Sequence, residues 1–114
     1  MVTLSPASVV IIPFPFSDLS GTKFRPAVVL AETGHGDWFL CQIASNPYID
    51  PTAVRLTDAE LSRGKLNTVS FARPMKLFTA SEDLIAKRIA ILSDEAFQEI
   101  LTTIIESLKI NLPQ

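Results

Sequence analysis

The chemistry-bearing stretch of this sequence is Pro13–Leu30, PFPFSDLSGTKFRPAVVL. Arg25 stands between a polar segment containing Gly21 and the apolar run Pro26–Leu30. A strand there would anchor the base of the side chain while its head faces the loop. A guanidinium stays charged and presents a planar fork of donors suited to phosphate oxygens. Such a group can hold a phosphate and stabilise charge that develops during a displacement. The plain alternative is a solvated surface arginine. His35 is the only histidine, and imidazole suits proton transfer. It sits in Gly34-His35-Gly36, however, which reads as a tight turn, and a lone histidine cannot form a histidine pair. Asp18 could orient Arg25 or serve as a turn residue. Glu82, Asp83, Asp94 and Glu95 read as helix-start acids rather than a catalytic carboxylate cluster. One cysteine, Cys41, excludes an intrachain disulfide and a cysteine-based zinc site, so no metal or cofactor is expected.

The elements that must position Arg25 follow from local pattern. Ser8–Ile12 (SVVII) is a β-branched first strand, ended by Pro13. The polar loop that follows is longer than the median of about 4–6 residues, which favours a functional role. Arg25–Leu30 is a second strand with Pro26 near its start. Thr33–Gly36 is a turn, and Asp37–Ala44 a third strand completing a hairpin. Short strands are expected over 53–56, 67–72 and 76–79, with a turn at Ser62–Lys65. Six short strands at close spacing predict a mainly β fold, an antiparallel barrel. Leu84, Ile85, Arg88 and Ile89 fit a short helix. Ser93 can cap a longer one, in which Phe97, Ile100, Leu101, Ile104, Ile105 and Leu108 form an apolar stripe, closed by Asn111 and Pro113. With no repeat or linker, residues 1–114 read as a single domain.

Composition narrows the function classes. The 114 residues are 47% apolar, enough for a core, although a chain this size buries only about two-thirds of its unfolded surface. Self-association would add to its stability. No apolar run approaches the roughly 18 residues of a membrane span. The N-terminal stretch lacks the basic region of a signal peptide, so a cytoplasmic location is expected. Net charge is −2, unlike the strongly basic signature of a general nucleic-acid binder. The acidity is concentrated in residues 81–114, which carry three basic and six acidic groups. Residues 1–80 carry seven basic and six acidic, so a local basic surface is possible.

The run PFPFSDLSGTKFRPAVVL resembles the N-terminal signature of the PemK/MazF toxin family. LCQIASNPY is similar to the family's third strand and following loop, FARPMKLFTA to its later strand pair, and the C-terminal helix lies in the expected place. The resemblance spans about Val9 to Leu108. It implies a small SH3-like barrel that forms a homodimer and cuts single-stranded RNA at short sequences without a metal. The products would be a 2′,3′-cyclic phosphate and a 5′-OH, and a cognate antitoxin would wrap the dimer and block the RNA groove. Arg25 falls on the family's catalytic arginine. The family's catalytic threonine falls on Ala44, within Ile43-Ala44-Ser45, and a methyl cannot donate to a phosphate oxygen. Losing such a donor costs about 10²–10³ in rate. Ser45 could take over, through a one-residue bulge or from its own position. Gln42 and Asn46 could read base edges. Lys23 is counted with the RNA-binding residues, and Arg73, Lys76 and Lys65 could extend a phosphate track from Arg25. Phe14 and Phe16 read as barrel plug or dimer contact, and Tyr48 as a stacking candidate. The alternative is a barrel that binds RNA, an antitoxin or a protein target such as gyrase without cutting RNA.

Overall fold

The computed structural model describes residues 4–15 and 22–114, with backbone only at Phe14, Pro15 and Thr22. Phe16 and Asp18 therefore lie outside the described residues. Seven strands form one antiparallel sheet: β1 Ser8–Pro15, β2 Thr22–Gly34, β3 Asp37–Ala44, β4 Val54–Leu56, β5 Leu61–Gly64, β6 Ser70–Ser81 and β7 Lys87–Leu92. One helix, α1 Asp94–Lys109, follows. The spatial order is β4-β6-β3-β2-β1-β7-β5. The sheet curls into a half-barrel with α1 as its only long helix among the described residues.

Continuous apolar runs in β1 and β2 follow from burial on both faces. Val9 pairs with Val28, and both belong to the larger core, with Ile43, Leu56, Leu92 and Ile100. Val10 pairs with Ala27 on the opposite face, in a smaller core with Ile12, Val29, Trp38 and Leu40. The Ser93 hydroxyl caps α1 by accepting from the Ala96 N–H at 3.2 Å. Ala96, Ile100 and Ile104 are its buried residues. The predicted stripe is too broad, because Ile105 and Leu108 are exposed while neighbouring Ile104 is buried.

The prolines mark where pairing stops. The Ile11 carbonyl accepts from Ala86 N–H, so odd positions of β1 turn their backbone polar groups toward β7. The β7 ladder ends at Ile11–Lys87. Pro13 and Pro15 therefore withhold N–H groups only where β7 has ended, and β1 continues past Pro13, against expectation. The same parity directs Pro26 toward β3, and the β2–β3 ladder stops next to it, at Ala27–Gln42.

Three other expectations need correction. The predicted turn at Ser62–Lys65 is mostly strand β5, which pairs with β7. Its Gly64, at φ +83°, serves close approach, since a Cβ there would run into the Ile89 carbonyl and Ala90. The predicted short helix at 84–89 is a 3₁₀ turn, Glu82–Leu84, followed by β7. Pairing on both sides, to β1 and β5, overrides four residues at helical spacing. The two predicted strands 67–72 and 76–79 are one, β6, because Arg73–Lys76 bulge out between Ala72, opposite Ile43, and Leu77, opposite Cys41.

Candidate nucleic-acid interface

Where Pro26 ends the ladder, β2 and β3 part, and a cleft of about 320 Å³ opens between them. Lys23, Phe24, Arg25 and Pro26 form one wall, and Ile43, Ala44 and Ser45 another. Ile11, Leu66 and Ile89 supply apolar lining, while Asn67 and Thr68 before β6 and Ser70 at its start add polar groups. The β2–β3 register, carried two residues beyond Ala27–Gln42, sets Arg25 opposite Ala44. Residues opposite one another on neighbouring strands share a face. Ala44 is buried and Ser45 exposed.

Electrostatically the cleft is one-sided. It is lined by two cations and by no carboxylate or histidine among the described residues. A protein of net charge −2 thus carries a locally cationic surface. Arg25 makes no ion pair with any described residue. The hydroxyls of Ser45 and Thr68 and the Asn67 amide can donate further hydrogen bonds. This set can bind a phosphodiester and offset charge building on its oxygens. With no imidazole or carboxylate in the lining, it holds no ordinary general base among the described residues.

Of the residues singled out from sequence, Lys23, Arg25 and Ser45 line this cleft, and Gln42, Asn46, Arg73 and Lys76 do not. Gln42 is half-buried on β3, opposite Ala27. Asn46 spends its side-chain oxygen on the Tyr48 N–H at 2.8 Å, a turn-forming bond. Arg73 Nε donates to Asp50 Oδ2 at 3.2 Å, and its guanidinium lies 5.0 Å from the Tyr48 ring centroid. The Asp50 carboxyl is held below its ordinary range, chiefly by the Thr52 hydroxyl at 2.6 Å, with the Thr52 N–H and Arg73 adding to this against partial desolvation. Tyr48 and Ile49 take φ of +53° and +58°, costly for a β-branched residue. Lys76 is exposed on the β6 bulge. His35 is exposed in the β2–β3 turn at φ +56°, outside the cleft lining. Burial pushes the Cys41 thiol up to about 12, and its Sγ–H faces the Arg73 carbonyl at 3.2 Å, so it is a structural group.

Sequence reasoning missed Asn67, Thr68 and Ser70. Their segment was assigned to a strand, yet Asn67 takes φ +66° and Thr68 N–H donates back to the Leu66 carbonyl at 2.7 Å, a three-residue turn. An Asn-Thr pair between Leu66 and Val69 was the available signal, since Asn tolerates this conformation better than most residues.

Known proteins place these features. Among curated proteins, none matches the sequence. Solved structures share the fold. A MazE–MazF complex from Deinococcus radiodurans has a TM-score of 0.74 at 15% identity, covering 93% of this chain and 96% of that one. An endoribonuclease with its cognate antitoxin from a mycobacterial species gives 0.75 at 10% identity, covering 97% and 100%. The toxin MazF-mt6 of Mycobacterium tuberculosis gives 0.65 at 17%, covering 90% and 99%. At these identities the likeness speaks for the fold alone. The sequence itself matches, over residues 5–108, the family model of PemK-like, MazF-like toxins of type II toxin–antitoxin systems. The chain therefore belongs to the PemK/MazF toxin family.

Proposed function

We propose that this protein is the toxin of a type II toxin–antitoxin pair and cuts single-stranded RNA without a metal ion. The observation that carries the reading is the cationic cleft around Arg25, without a carboxylate among the described residues, in a chain that is otherwise acidic. In this reading a ribose 2′-OH attacks the adjacent phosphorus. The 2′-O–P bond forms, the P–O5′ bond breaks, the 2′-OH proton passes to solvent, and the 5′-oxygen leaves protonated. A 2′,3′-cyclic phosphate and a 5′-OH remain. Arg25 neutralises the crowded phosphorane, and Lys23 holds the neighbouring backbone. Ser45 supplies the hydroxyl that Ala44 lacks, from its own position on the cleft wall. A homodimer working in the cytoplasm and silenced by a cognate antitoxin completes the proposal. The endoribonuclease–antitoxin complex that shares the fold supports this last part.

Ala44 favours a second reading, a barrel that binds RNA or a protein target without cutting RNA. Incubating the purified protein with a long single-stranded RNA and EDTA, then mapping ends, separates the two. Fragments that require Arg25 support the nuclease. No fragments at any protein concentration, or equal cutting by Arg25→Ala, would sink it. If Ala44→Thr raises cleavage strongly, the natural chain is a weakened nuclease. If it changes nothing, Ser45 already serves or the target is different.

A further inference from the structure

The loop that closes the Arg25 cleft is also the wall of a second one. A cleft of about 350 Å³ is lined by Thr57, Asp58, Ala59, Asn67, Thr68 and Val69. Asn67 and Thr68 therefore line both clefts and form a ridge between them. The ridge is braced on each side. Leu66 N–H donates to Asp58 Oδ1 at 3.2 Å, and Ser70 Oγ donates to the Thr68 carbonyl at 3.2 Å. Thr57 and Glu60 fix the far wall, with Thr57 Oγ accepting from Ala59 N–H and Glu60 Oε1 accepting from Thr57 N–H.

The two clefts have opposite electrostatics. The first holds Lys23 and Arg25, whereas the second holds Asp58 and no cation among the described residues. A phosphate is drawn to the first and repelled by the second. An uncharged base is not repelled, and Val69, half-exposed, offers an apolar surface to its ring. We propose that the second cleft is a base-selecting subsite: RNA crosses the Asn67–Thr68 ridge with its phosphate against Arg25 and a neighbouring base beside Asp58.

The chemistry of Asp58 limits which base fits. With Oδ1 engaged by Leu66, Oδ2 has no hydrogen-bond partner among the described residues. An ionised carboxylate only accepts, so it selects bases with an exocyclic amino group: adenine, cytosine or guanine. Uracil is disfavoured because two carbonyl oxygens flank its single N–H and face the carboxylate. The subsite rests on the RNA reading above and adds to it a position of base choice and the residue that makes it.

The test maps cleavage of a randomised single-stranded RNA pool by wild-type, Asp58→Asn and Arg25→Ala proteins, with binding of the uncut pool as a second readout. At one position beside the scissile phosphate, the wild type should favour amino-bearing bases over uracil by about tenfold. Asp58→Asn keeps the acceptor for Leu66 and puts a donor in place of Oδ2, so uracil should become nearly equal there, through a fall of about tenfold in cutting at amino-bearing bases. An arm without any protein variant replaces the preferred base by its analogue lacking the amino group, purine for adenine or inosine for guanine. Wild-type cleavage should fall about tenfold. Cleavage that depends on Arg25 but ignores both changes overturns the subsite and leaves the nuclease reading standing. A wild-type protein that neither cuts nor binds the pool overturns both.

Discussion

Arg25 and Arg73 are the same side chain in opposite settings. Arg25 stands where β2 and β3 have parted, on a wall shared with Lys23 and without a carboxylate among its described neighbours. Arg73 leaves the β6 bulge to meet Asp50 at 3.2 Å and the Tyr48 ring at 5.0 Å, with only 16% of its side chain exposed. The first charge has no ion pair among the described residues, and the second helps to hold a strained loop. What separates them is backbone pairing. Pro26 lacks the N–H that would continue the β2–β3 ladder, so the sheet opens beside Arg25. The β6 bulge instead folds Arg73 back onto the loop after β3. An arginine's sequence neighbours do not reveal which of these fates it has.

The largest effect tests the cleft cation. Arg25→Ala should lower RNA cleavage by about 10²–10³-fold or more with an unchanged melting temperature, checked by single-turnover rates and thermal denaturation. Pro26→Ala sharpens the contrast. It restores an N–H facing β3, should narrow the cleft, and should lower cleavage about tenfold while leaving stability within about 1 kcal/mol. Arg73→Ala should do the reverse: cleavage within a few-fold, but stability lower by about 1–2 kcal/mol by denaturant titration, because Asp50 loses its partner and the Tyr48–Ile49 turn its brace. The smallest effect is a pH dependence. A carboxyl with a lowered pKa adds stability above its unfolded value, about 3.9, and loses it as pH falls through the lower folded value. The gap in melting temperature between wild type and Asp50→Asn should therefore be full near neutrality and close below about pH 4.

Much of the fold was legible because it rests on local pattern. The SVVII and RPAVVL runs, the Gly34–Gly36 turn and the Ser93 cap each encode their element within a few residues. Where sequence reading failed, long-range pairing decided. Lys87–Leu92 is a strand because β1 and β5 flank it, and Leu61–Gly64 because Gly64 can lie against Ala90. The site followed the same rule. Lys23, Arg25 and Ser45 were readable from the two strands that part there. Asn67 and Thr68 arrive from a turn more than 40 residues beyond Arg25, and no spacing announces that approach. Nothing in the sequence neighbourhood of Arg73 points to Asp50, 23 positions away.

We propose that the open cleft, and not basic charge in general, carries the action on RNA. The most direct measurement compares wild type, Arg25→Ala and Arg73→Ala on one long single-stranded RNA in EDTA, with chemical mapping of the ends. Wild type and Arg73→Ala should give 2′,3′-cyclic phosphate and 5′-OH ends, and Arg25→Ala at most about a hundredth as many. Equal cleavage by Arg25→Ala, or loss of cleavage only in a stably folded Arg73→Ala protein, would contradict it.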